Sequence, residues 1–80
     1  MSDGDARLRL LTRVDCHLCE EAARELARLG IAFATIDVDL DKELTRLYGD
    51  SIPVLLDGDI EVARAPLTAA SLEMALSRLG

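Results

Sequence analysis

The two cysteines of this 80-residue chain stand three positions apart, in Val14-Asp15-Cys16-His17-Leu18-Cys19. A short apolar run ends just before them and an amphipathic run at helical spacing begins with them, so both belong to the start of a helix. Helix starts carry unpaired N–H groups and the positive end of the helix dipole, and both favour a thiolate over a thiol at Cys16. One turn later Cys19 faces the same side, within reach of a disulfide. This arrangement suits thiol–disulfide exchange: Cys16 attacks a partner disulfide and Cys19 resolves the mixed disulfide. Arg13 and a protonated His17 would also favour the thiolate, while Asp15, Glu20 and Glu21 oppose it through solvent. The helix N–H groups should dominate because they touch the sulfur directly. His17, the one histidine, is either a tuner of the redox centre or a ring standing in water at a helix start.

Other chemistries fit less well. Cys16, His17 and Cys19 are soft ligands within four residues, but structural zinc takes four ligands, usually from two separated pairs. The sequence has no second CxxC and no HxxxH. Two alternatives to exchange remain: a metal or iron–sulfur cluster held by Cys16 across a dimer, and a binding module without catalysis. The acidic group Asp37, Asp39 and Asp41 has no glycine-turn loop and reads as a helix cap and solvated loop. Thr68 and Ser71 have no base near them in sequence, and there is no glycine-rich phosphate loop.

Half of the residues are hydrophobic, with one Phe, one Tyr and no Trp, which fits a single domain over residues 1–80 with one modest core. Residues 1–6 read as a flexible N-terminus. Cysteines this close together staple little of a fold, and a CxxC pair without further cysteines points to the cytoplasm. The polar, acidic start is no signal peptide, and no apolar run approaches the roughly 18 residues needed to cross a membrane. Fifteen acidic against nine basic residues give a net charge of −6, which opposes nucleic acid as a partner. A monomer acting on a protein disulfide or a low-molecular-weight thiol is the expectation, with its reductant unassigned.

The supporting elements follow from pattern. Arg7 to Thr12 reads as a strand whose arginines lie at its exposed beginning. Cys16 to Leu29 reads as a helix stopped by Gly30, and Ile31 to Ile36 as a second strand. Asp39 or Asp41 caps a short helix, Lys42 to Tyr48, ended by Gly49. Val54-Leu55-Leu56 and Asp59 to Val62 form a hairpin about Asp57-Gly58. Thr68 caps a last helix with Leu72, Ala75, Leu76 and Leu79 on one stripe. Tyr48 either packs the short helix or edges the active-site face. The order β-α-β-α-β-β-α predicts an α/β fold: a mixed four-stranded sheet with helices on both faces and a parallel first β-α-β.

The CxxC at the first strand–helix junction, this element order and Ile52-Pro53 entering the third strand resemble the thioredoxin superfamily. Within it the chain is most similar to small bacterial glutaredoxin-like proteins, from about Arg7 to Leu79. The resemblance implies a thioredoxin-like fold and a thiol–disulfide oxidoreductase with Cys16 as nucleophile and Cys19 as resolving cysteine. It implies that Pro53 is the cis-proline beside the disulfide and that Ile52 presents its backbone to an extended partner. Arg13 matches a lysine common in glutaredoxins. His17-Leu18 stands where they usually carry Pro-Tyr. Ala63-Arg64 stands about where they have a Gly-Gly pair after the fourth strand, contacting glutathione. Without that pair glutathione is weakened as co-substrate, although Arg64 could pair with a carboxylate. The tryptophan that usually precedes the thioredoxin motif is absent as well. No bound cofactor is expected.

Overall fold

The computed structural model describes residues 7–77. The readings for residues 1–6 and for Leu79 fall outside them. Strand β1 (Leu8–Thr12) is followed by helix α1 (His17–Arg28), β2 (Ala34–Asp37), a 3-10 turn (Val38–Leu40), α2 (Lys42–Tyr48), β3 (Val54–Asp57), β4 (Ile60–Arg64) and α3 (Ala69–Ser77). The sheet order is β2-β1-β3-β4. β1 runs parallel to β2 and antiparallel to β3, and β3 is antiparallel to β4.

Helices cover both faces of this sheet, so β1 and β3 are apolar on both. Leu10 and Leu55 join Ala22 and Leu26 of α1 and Leu72 of α3 in one core. Leu11, Val54 and Leu56 point the other way, to Val38, Leu44 and Tyr48 around α2. Alternate side chains of a strand face opposite sides, which is how three consecutive buried residues in β3 serve two cores. Tyr48 therefore packs the short helix. Arg9 is exposed early in β1, as the alternation requires.

The second strand is shorter than its pattern, because Ile31 to Phe33 lie outside β2. The end of α1 takes up this segment: Gly30 turns at φ 75°, its N–H donates to the Ala27 carbonyl, and the Ile31 N–H donates to that of Leu26. This left-handed stop leaves Ile31 and Phe33 packed on the core instead of paired with β1. β4 is longer than its pattern, since Ala63 and Arg64 pair with Leu55 and Val54 inside the sheet. A register shift opposite Leu55 and Leu56 leaves Val62 without a partner of its own.

The caps resolve to particular residues. Asp37 accepts from the Asp39 N–H at the 3-10 turn, and Asp41 accepts from the Glu43 and Leu44 N–H groups of α2. Thr68 accepts from the Ser71 N–H at α3. Because Asp41 alone answers two orphan donors of a seven-residue helix, Asp41→Ala should cost about 1 kcal/mol. Thermal unfolding should register this as a midpoint lowered by roughly 4–8 °C. An unchanged midpoint would mean that water replaces the cap at no cost.

Candidate active site

β1 ends at Thr12, and four residues, the last of them Cys16, turn the chain into α1. The Cys16 N–H donates to the Arg13 carbonyl at 3.2 Å, and Asp15 sits in the left-handed region at φ 62°. Aspartate tolerates that region better than most residues. Cys16 is then the N-cap of α1: its Sγ accepts from the Cys19 N–H at 3.2 Å, and its carbonyl accepts from Glu20. The sulfurs of Cys16 and Cys19 are joined as a disulfide across a Cα–Cα distance of 5.2 Å. Their exposure differs. Cys16 is half-buried and Cys19 is 3 % exposed, packed on the inner side of α1. Val14 and Leu18 beside them are exposed apolar side chains.

Pro53 reaches this end of the sheet through strand pairing. Leu11 stands opposite Val54, so the residue before Val54 meets the end of β1, where the cysteine turn begins. The Ile52–Pro53 bond is cis, as is Ala65–Pro66. Pro53 is buried, while Ile52 is half-buried against the α2-side core.

The charged candidates are held by partners far from them in sequence. The Arg13 Nε donates to both Asp39 oxygens, at 3.1 and 2.9 Å, and its Nη1 donates to the Gly49 carbonyl. Hydrogen bonding to Asp39, and the charge of that carboxylate, raise the Arg13 pKa above its ordinary value. The His17 Nε2 lies 2.7 Å from Glu21 on the outer face of α1. Arg64 places Nε and Nη2 on the two Glu61 oxygens, each at 2.6 Å, and Nη1 on Ser51 Oγ at 3.3 Å. Hydrogen bonding to Arg64 holds the Glu61 carboxyl below the usual carboxylate range. Arg64 thereby ties the end of β4 to the segment leading into Ile52 and Pro53.

Two hollows flank α1. A shallow one of about 190 Å³ is lined by Cys16, Cys19, Glu20, Thr12, Arg13 and Thr35 among others. A larger groove of about 450 Å³ runs along the opposite flank, between Leu18, Glu21 and Arg24 of α1 and Pro53, Pro66 and Leu67. The structure thus brings Cys16, Cys19 and Arg13 to one hollow and places Pro53 in the other. His17 and Arg64 lie outside both linings. Sequence reasoning missed Glu21 as the partner of His17, although i,i+4 spacing signals it. It also missed Asp39 as the partner of Arg13 and the Pro66-Leu67 wall, for which no local pattern exists.

A mixed sheet in this order, covered by α1 and α3 on one face and α2 on the other, defines the thioredoxin-like fold. Residues 7–77 match the family model described as Glutaredoxin-like domain (DUF836), and the chain belongs to that family. A search of the curated proteins found no match. Among solved structures, target protein XcR50 from X. campestris is 36% identical over 89% of this chain and 96% of its own, with a TM-score of 0.80. Protein Ne2328 from Nitrosomonas europaea is 32% identical over 85% and 87%, with a TM-score of 0.72. The glutaredoxin grx-1 from Archaeoglobus fulgidus shares the fold at 22% identity and a TM-score of 0.66, over 91% of this chain and 88% of its own. Among the described residues no helix is long and apolar enough to cross a membrane.

Proposed function

We propose that the chain is a thiol–disulfide oxidoreductase in which Cys16 attacks and Cys19 resolves. The observation that carries this reading is the asymmetry of the pair: the half-buried Cys16 Sγ accepts the Cys19 N–H at a helix start, while Cys19 is covered. In the reduced protein the same N–H and the helix dipole would favour the thiolate at Cys16. Cys19 needs no access of its own, because the sulfur it attacks is delivered by Cys16. Membership of a glutaredoxin-like family supports redox chemistry of this kind. Ile52, placed by strand register beside the end of β1, would offer its backbone to an extended partner, with Arg64 bracing that segment through Ser51.

The electron balance is that of two exchanges. The Cys16 thiolate forms a bond to one sulfur of the substrate disulfide, and the other leaves as a thiolate. Cys19, deprotonated, then attacks Cys16 and releases the second substrate thiolate, leaving the protein oxidised by two electrons. A thiol reductant restores the dithiol. The test is reduction of a disulfide substrate such as insulin or a glutathione mixed disulfide, with dithiothreitol as reductant and a dialysed blank as control. Acceleration over the dithiothreitol background supports the proposal. A rate equal to that background with both substrates would overturn it in favour of a binding module.

A further inference from the structure

We infer that the surface around this dithiol selects polypeptide disulfides flanked by basic residues and works against anionic thiols. The inference rests on the oxidoreductase reading above and names the substrate class of the same site. Its basis is which local charges the fold answers and which it leaves open.

The guanidiniums a substrate carboxylate would seek are already engaged. Arg13 lines the hollow with both cysteines, yet its Nε holds both Asp39 oxygens and its Nη1 a backbone carbonyl. Arg64 has all three guanidinium nitrogens on Glu61 and Ser51. The carboxylates nearest the sulfurs are not answered in this way. Asp15 immediately precedes Cys16, Glu20 immediately follows Cys19, and both are exposed. Glu20 lines the same hollow as the two cysteines. Glu21 lines the larger groove, and its contact is an imidazole rather than a permanent cation. Arg24 is the counterweight on that flank. Net charge at the mouth is therefore negative, in a molecule whose total is −6.

The apolar parts fit a polypeptide better than a small thiol. Leu18 is exposed beside the dithiol, and the groove of about 450 Å³ continues from it past Pro53 to Pro66 and Leu67. An extended chain crossing the site at Cys16 would set the residues on one side of its cysteine by Glu20 in the small hollow and run the other side past Glu21 along the apolar wall of the groove. A substrate carrying carboxylates would meet those same groups with no free guanidinium in Arg13 or Arg64 to offset them.

The test compares two peptide disulfides that differ only in carrying Lys or Glu on both sides of the cysteine. The reduced full chain is mixed with each in single turnover, and each rate is divided by that of neutral dithiothreitol to remove the peptide's own reactivity. The Lys peptide should react roughly five to ten times faster at low ionic strength, with the ratio falling below about two near 1 M salt, where charges are screened beyond about 3 Å. Asp15→Asn combined with Glu20→Gln should flatten the ratio, and Arg24→Gln should steepen it. Normalised rates that are equal, or that favour the Glu peptide, overturn the inference while leaving the oxidoreductase reading intact. No exchange with either peptide, though dithiothreitol reduces both, overturns the oxidoreductase reading itself.

Discussion

Cys16→Ser should bring disulfide reduction down to the uncatalysed rate, a fall of at least about 10³-fold, whereas Cys19→Ser should stop the reaction halfway. A serine hydroxyl at residue 16 is not ionised near neutral pH, and the sulfur that remains at residue 19 is 3 % exposed against the sheet. A bulky protein disulfide cannot reach it. The Cys19→Ser protein keeps the accessible thiol at the start of α1, attacks normally and then has no neighbour to release the product. Intact-mass measurement after a single turnover should find one substrate per chain attached to the Cys19→Ser variant and none attached to Cys16→Ser. The opposite pattern would assign the attack to Cys19 and contradict the burial argument. Both serines are close in volume to cysteine, so the comparison probes chemistry more than packing.

Leu55→Ala should destabilise the fold strongly, by about 2–5 kcal/mol. Leu55 has no exposed surface, stands opposite Leu10 in β1 and Ala63 in β4, and belongs to the core that joins α1 and α3 to the sheet. Removing its side chain leaves a cavity that strands bonded on both sides cannot collapse to fill. Domains of this kind are stable by only about 5–15 kcal/mol, with small ones near the lower end, so a large part of the folded state's margin is at stake. Urea unfolding should show a lower midpoint with an unchanged slope. A loss below about 1 kcal/mol would mean that the core relaxes around the gap and that packing here is looser than full burial implies. The same loss should weaken the redox site indirectly, since Pro53 immediately precedes β3 and the cysteine turn immediately follows β1.

Much of this was legible locally. The spacing of Cys16 and Cys19 at a helix start, the Gly30 stop, the Asp57-Gly58 hairpin and the Thr68 cap are short-range devices, and each appears where its residues stand. The boundaries that moved did so for non-local reasons. Ile31 to Phe33 have strand-forming residues, but the closing bonds of α1 and the core claim them before β1 can pair with them. Ala63 and Arg64 look like the residues after a strand, yet Leu55 and Val54 hold them inside one.

The site divides along the same line. The chain's own order determined that two sulfurs would meet at the positive end of a helix, because a three-residue spacing and a helical pattern need no distant partner. Only the tertiary structure decided which sulfur is open and which is covered, since that depends on how α1 lies against the sheet. It alone paired Arg13 with Asp39, 26 residues away, and Arg64 with Ser51. Strand register, likewise, set Pro53 at the end of β1. Charge that looks available in a linear sequence is available only after folding has chosen its partners, and here folding leaves Asp15 and Glu20 open and the guanidiniums of Arg13 and Arg64 engaged.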